Sequence, residues 1–318
     1  SYMAARVHVM RNRAERLGLP EDSTPVERSQ RVEAIVLKVN QNSARVQVFC
    51  ESAQITFRSS DVVDVVPGHL VTLVVEKRWT WRGDPYASGA MENTRIDVTK
   101  LGLTALPLEQ DEVACDLRSA YEPYRSPDPY ASLWRKLTEK RRASYEMDPI
   151  AWGAFPDADI EDNPTFDAVE LAEAGDLEGA RELLMDILLK DLRCIDAHAH
   201  LGNLEFDHSP KQAMLHYEMG IRIGELSLPP DFQGVLLWGL MYNRPFLRCL
   251  HGYGLCLWRL GRTLEAQPVF ERILSLNPND HQGVRFCWHD LRKGRSWEES
   301  QVQEQTTIAQ RRDRVYIH

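Results

Sequence analysis

The segment DAHAHLGNLEFDH, Asp196 to His208, collects the residue types of a metal site: Asp196, His198, His200, Asp207 and His208. An H-x-H pair holds an ion when both imidazoles reach it. Here the apolar spacing is helical, and residues two apart on a helix point about 200° apart, so His198 and His200 cannot share an ion. His198 reads instead as an interior histidine. Cys249 and Cys256 lie seven apart, on one helical face, and read as buried core. The acidic run DADIED reads as a solvated linker rather than a pair of catalytic carboxylates. The chain carries no G-x-S-x-G, no G-x-x-x-x-G-K-[ST] and no H-E-x-x-H. No catalytic residue, metal or cofactor is expected.

A second stretch has the composition of a binding surface. EKRWTWRGDPYASG, Glu76 to Gly89, sets Lys77, Arg78 and Arg82 around Trp79 and Trp81. Cations interleaved with aromatics are what single-stranded nucleic-acid grooves use. Counting by twos places Lys77, Trp79 and Trp81 on the face of Val71, Leu73 and Val75, which is the core face. Arg78 and Arg82 then fall outside and become candidate nucleic-acid contacts. A bulge at Glu76–Lys77 inverts this assignment, because one extra residue turns every later side chain over.

The elements that must position these residues follow from length and pattern. The chain has 318 residues, 43% hydrophobic and 27% charged, with a net charge of −9. That length and composition suit a soluble globular protein of two domains. No apolar run approaches the ~18 residues of a membrane span, and the basic N-terminus SYMAARVHVMRNRAERLG has no apolar core of a signal peptide. The six cysteines form no C-x-x-C pair, which suggests buried thiols and a cytoplasmic location. Residues 1–100 carry 14 Lys and Arg against 12 Asp and Glu, so the negative charge lies in the remainder. The whole chain is therefore not a strongly cationic nucleic-acid binder.

Three zones separate by periodicity. RVEAIVLKV puts Val32, Ala34, Val36 and Lys38 on one face; ARVQVFC, QITFRS and HLVTLVVEKRWTW continue the β pattern, and NTRIDV is the expected fifth strand. Five short strands predict a small barrel over residues 31–102, preceded by a helical or linker segment over 1–30. Residues 103–164 read as a linker holding at least one helix, around ASLWRKLTEKRRASYEM. Residues 165–293 are helical, and 294–318 form a tail whose end alternates at Val315 and Ile317 and suits pairing with a barrel edge.

FLRCLHGYGLCLWRLGRTLEAQPVFERILSLNP, Phe246 to Pro278, is two helices broken near Leu260-Gly261-Arg262. Small Gly254 and Ala266 let the helices approach, Leu250, Leu257, Phe270 and Ile273 fill the space between them, and Pro278 stops the second helix. This unit resembles a tetratricopeptide repeat, and weaker copies precede it at FDAVELAEAGDLEGARELLMDILLKD and DAHAHLGNLEFDHSPKQAMLHYEMGIRIGE. An insertion, LSLPPDFQGVLLWGLMYNRP, separates the second and third copies, and DHQGVRFCWHDLRKG reads as a capping helix. The resemblance implies an adaptor that binds a protein or peptide on a concave face. By that resemblance the groove residues are Asn203, Phe206, Arg248, His251, Leu255, Trp258 and Arg259. Ala199 stands where such repeats often place a lysine, so a complete carboxylate clamp is not expected.

SSDVVDVVPGHLVTLVVEK, with the strands before it, is similar to an S1-type OB barrel over about residues 31–80. That resemblance implies single-stranded RNA as a second partner, with Phe49, Phe57 and Arg58 as contacts. The expected fold class is thus α+β: a small OB- or SH3-like barrel followed by an all-α array of tetratricopeptide hairpins. The expected role is a non-catalytic adaptor; the alternative is an RNA-associated protein whose barrel reads single strands while the repeats recruit a protein. Neither role involves a membrane.

Overall fold

The computed structural model of the protein describes residues 24–49, 51, 53–111, 117, 129–151, 154–155 and 163–303. The helix expected near Arg11 to Gly18, Cys50, Cys115, the acidic run DADIED and the tail from residue 304, with Val315 and Ile317, lie outside these residues. In chain order the strands and helices are β1 (Thr24–Val39), β2 (Ser43–Val48), β3 (Gln54–Arg58), β4 (Leu70–Trp81), β5 (Asp84–Arg95), β6 (Leu108–Gln110), α1 (Ala131–Leu137), β7 (Tyr145–Met147), α2 (Phe166–Glu173), α3 (Leu177–Lys190), α4 (Ile195–Phe206), α5 (Pro210–Glu225), α6 (Arg244–Arg259), α7 (Thr263–Leu276) and α8 (Val284–Arg292). The contacts divide the chain into two compact units, residues 1–103 with 158–192 and residues 104–157 with 193–318.

In the first unit β1 to β5 close into a barrel of order β1-β2-β3-β5-β4. The β3–β5 pair is parallel and the other neighbours are antiparallel. This order is consistent with an OB-type barrel. The core is the inward half of each strand: Ala34, Val36, Val46, Ile55, Phe57, Leu73 and Val75 are buried. The α2–α3 hairpin groups with the barrel, and α3 packs on β1.

Two bulges revise the face assignments. At Leu37 the β1–β2 register slips by one, so Val36 faces Val46 but Lys38 faces Arg45. Val39 is buried, and Lys38 turns outward to pair with Asp186 at 2.5 Å. The second bulge lies at Glu76: Val75 pairs with Gly89 and Lys77 with Ser88, which leaves Glu76 without an opposite residue. Gly89 permits this crowding, since a Cβ there would lie 1.8 Å from the Val74 carbonyl oxygen at a φ of +156°. Val75 therefore points into the core while Lys77, Trp79 and Trp81 point out, which corrects the core assignment of the two tryptophans. Trp81 is 53% exposed.

The fifth strand also differs from expectation. It runs from Asp84, directly after a two-residue turn at Arg82-Gly83, to Arg95, so only the first half of NTRIDV belongs to it. Both turn residues have positive φ, 51° and 90°, the geometry that matches strand twist in a tight hairpin. Pro85 and Gly89 hide this strand from a propensity reading.

In the second unit α4 to α8 pack each on the next, and α4 also packs on α6. Local signals set the helix ends. Ser209 accepts a hydrogen bond from the Gln212 amide at 3.3 Å, with Pro210 opening α5. Gly261 forms the turn between α6 and α7, and Pro278 follows the end of α7. Phe270 fills the space that Gly254 leaves, where a Cβ would come within 2.6 Å of its ring. The insertion between α5 and α6 is built in rather than looped out. Arg142 donates to the carbonyls of Gln233, Gly234 and Ser275 at 2.7 to 2.8 Å, and the Asn243 amide donates to Tyr145 and Leu237 carbonyls. Backbone bonds from Tyr145 and Leu236 complete the seam.

Candidate binding surfaces

The second unit holds a groove of about 440 Å³ between α4, α6 and the insertion. Arg248, His251, Gly252 and Leu255 recur at the spacing of one helical face and form its α6 wall. Asn203 and Phe206 come from α4, Trp238 from the insertion and Gln282 from the turn before α8. Five of the expected groove residues, Asn203, Phe206, Arg248, His251 and Leu255, are thus brought together.

Tyr217 of α5 forms the floor. Its ring lies between two helices at positions where both are glycine: a Cβ would reach it at 2.4 Å from Gly202 and 2.3 Å from Gly252. The Tyr217 hydroxyl donates to the Asn203 side-chain carbonyl at 2.7 Å, which orients the Asn203 amide N–H groups for another acceptor. Burial raises the Tyr217 pKa, so the phenol stays protonated and able to donate. Arg248 gives one N–H to the buried Asp196 at 3.3 Å and lies 5.7 Å from the Trp238 ring centroid. Asp196 also pairs with His200 at 3.4 Å. Burial lowers the His200 pKa, with Asp196 opposing the shift. Burial pushes His251 down to about 4, so it is neutral at pH 7, and its buried Nε2 has no hydrogen-bond partner.

Two expected groove residues are used otherwise. Trp258 is 2% exposed, so it cannot meet a ligand. Its indole N–H donates to the Arg295 carbonyl at 3.1 Å, and its ring meets Trp297 edge-on at 5.5 Å. Arg259 donates to the carbonyls of Phe206 and Asp207, a cation on the carbonyl end of α4. Trp238, Tyr217 and Gln282 were not expected. The glycine of HGYG and the tryptophan of the insertion were the only sequence signals for them.

His198 is fully buried, as its interior reading requires, and Cys249 and Cys256 are buried too. Burial raises both thiol pKa values, that of Cys256 to about 12, which keeps them protonated. Among the described residues no group of three His, Cys, Asp or Glu side chains converges on a metal position. Nor is any described helix long and apolar enough to cross a membrane.

The barrel separates its expected contacts. Phe57 is fully buried opposite Ala87, so its ring has no free face; this corrects its assignment as a nucleic-acid contact. Phe49 lies beyond β2 with the Lys100 ammonium 5.5 Å from its ring, and Lys100 also pairs with Glu33. Arg78 bonds Gln30 at 3.0 Å and reaches Glu51 at 3.6 Å. Arg58 is the expected contact that meets aromatics on the outer face: its guanidinium carbon is 6.0 Å from the Trp79 ring centroid and 5.8 Å from that of Tyr86. Those two rings stack at 5.6 Å with 19° between planes. Arg82 in the hairpin turn lies 5.8 Å from the Trp81 ring.

Comparison with protein-family models, curated proteins and solved structures finds no match to this chain. The class is defined by architecture alone: a small closed barrel followed by sequentially packed helices, typical of modules that bind proteins or nucleic acids.

Proposed function

We propose that the protein is a non-catalytic, cytoplasmic adaptor of the tetratricopeptide kind, whose helical unit holds a peptide segment of a partner protein in the groove between α4 and α6. The observation that carries this reading is the pairing of apolar walls with uncommitted donors. Phe206, Trp238 and Leu255 offer apolar surface, while Asn203 and Arg248 keep N–H groups that their present partners do not use. A mostly apolar cleft with a few placed polar groups is the usual form of a ligand site.

A contact within the chain supports an aromatic anchor for this region. Trp297 meets Phe206 edge-on at 6.1 Å, beside Arg259, which lies 5.3 Å from the same Phe206 ring. A partner segment with one aromatic or large aliphatic anchor, next to a carboxylate or backbone carbonyl that accepts from Arg248 and Asn203, fits both halves of the groove. Selection from a random peptide library displayed on phage tests this. Enriched peptides should share an anchor of that type close to an acceptor group. Enrichment of sequences without either feature, or no enrichment, overturns the reading.

A further inference from the structure

We infer that the partner segment places an asparagine or glutamine side chain in the groove, beside its apolar anchor. The inference rests on the peptide-binding reading above and narrows the acceptor in it to the carbonyl of a primary carboxamide. The donors stand on two walls. On α4, Tyr217 donates to Asn203 Oδ1 at 2.7 Å, which leaves the Asn203 Nδ2 hydrogens for another acceptor. On α6, Arg248 gives one N–H to Asp196 and keeps the rest of its fork for the groove.

An acceptor stands on the same wall as Arg248. Gln282 donates through Nε2 to the Leu247 carbonyl at 3.3 Å. Within α6 that carbonyl is also the helical partner of the His251 amide, so the Gln282 side chain lies against the turn that joins Arg248 to His251. The other end of its amide, Oε1, is buried, and among the described residues no group donates to it. His251 Nε2 is buried and unpartnered too. The neutral ring accepts at Nε2 when its proton is on Nδ1. Buried polar atoms left unmatched are costly, and a ligand that meets them is favoured over one that does not.

Few groups match both sets at once. A carboxylate accepts from Arg248 and Asn203 but sets its oxygens against Gln282 Oε1. An ammonium suits Gln282 but meets the charge of Arg248. A hydroxyl brings one hydrogen for two acceptors. A main-chain amide points its C=O and N–H in opposite directions, whereas Arg248 and Gln282 share a wall. A primary carboxamide carries both functions on one carbon: two lone pairs for Arg248 and Asn203, two hydrogens for Gln282 and His251. Charge agrees with a neutral group. The charged side chains of the lining are Arg248 and Asp207, one of each sign, and Arg248 already answers Asp196.

The full chain, panned against random peptides displayed on phage, gives the test. Among enriched peptides that carry the anchor, asparagine or glutamine should recur at one fixed spacing from it. A labelled synthetic peptide with asparagine at that place, followed by anisotropy, should bind the wild type about tenfold or more tighter than its aspartate and leucine analogues. This comparison needs no variant of the protein. Gln282→Met keeps the side-chain length, and the Leu247 carbonyl keeps its helical bond. That variant should melt as the wild type does, bind the leucine analogue as well as the wild type does, and lose most of the preference for asparagine. Three results overturn the inference and leave the peptide reading standing: an enriched anchor with neither amide residue at a fixed spacing, an aspartate or leucine analogue as tight as the asparagine peptide, or a preference for asparagine that folded Gln282→Met retains in full. No enrichment of any peptide overturns both.

Discussion

The ring of Tyr217 lies against the backbone of Gly252, so close that a methyl group added to that glycine would sit 2.3 Å from the ring's Cζ. This contact lets the Tyr217 hydroxyl emerge in the groove beside Asn203. Gly252→Ala should therefore destabilise the helical unit by about 1–3 kcal/mol, the cost of overpacking a filled interior. Tyr217→Phe keeps the packing and removes one hydrogen bond, about 0.5–1.5 kcal/mol. Urea denaturation of both variants should show that order.

Burial separates two aromatics of the barrel that sequence treats alike. Phe57→Ala should cost about 3–5 kcal/mol, because the ring is fully enclosed. Trp79→Ala should cost less, about 1–2 kcal/mol, since the ring is only partly buried and mainly loses its stacking on Tyr86. Equal losses in denaturation midpoint would contradict the outward placement of Trp79.

Gly89 is required by close approach rather than by flexibility. Gly89→Ala drives a methyl group into the Val74 carbonyl, a backbone atom that cannot rotate away. A loss of about 3 kcal/mol or more is expected, with the register at the Glu76 bulge disturbed. Amide exchange along β4 and β5 should accelerate in the variant and leave α4 to α8 unaffected.

Acid should destabilise the barrel through His69. Burial holds its pKa down to about 4 against an ordinary 6.5, and its Nδ1 accepts from the Val66 amide at 3.4 Å, which demands the neutral ring. A lowered histidine pKa means that the unfolded chain takes the proton first. Stability is then full above pH 6.5, falls as pH drops toward 4, and levels off below, by on the order of 3 kcal/mol. Denaturation midpoints between pH 7.5 and 4 check this, and His69→Gln should flatten the dependence of the barrel transition.

Much of the architecture was legible because it rests on local pattern. Alternation in RVEAIVLKV and ARVQVFC gave the strands, and the Gly254–Ala266–Pro278 spacing gave the α6–α7 hairpin. The groove residues on α4 and α6 came from the resemblance to a tetratricopeptide repeat, and five of them line one cavity. The errors have physical causes. Counting by twos holds until a bulge adds a residue, and both face errors, Lys38 and the Trp79–Trp81 pair, lie just beyond one. Trp258 looked like a groove residue until Arg295 and Trp297 covered it, a contact between segments far apart in sequence. Trp238 entered the groove from an insertion whose path depends on Arg142, about ninety residues earlier.

The adaptor reading is tested most directly by the affinity of a selected peptide for the wild type, Leu255→Arg and Phe206→Ala, all shown by thermal melting to be folded. The account predicts that Leu255→Arg, which fills the groove with a long charged side chain, and Phe206→Ala, which removes an apolar wall, each weaken binding tenfold or more, about 1.4 kcal/mol. The same Kd for the wild type and both folded variants would place the peptide elsewhere and contradict the account.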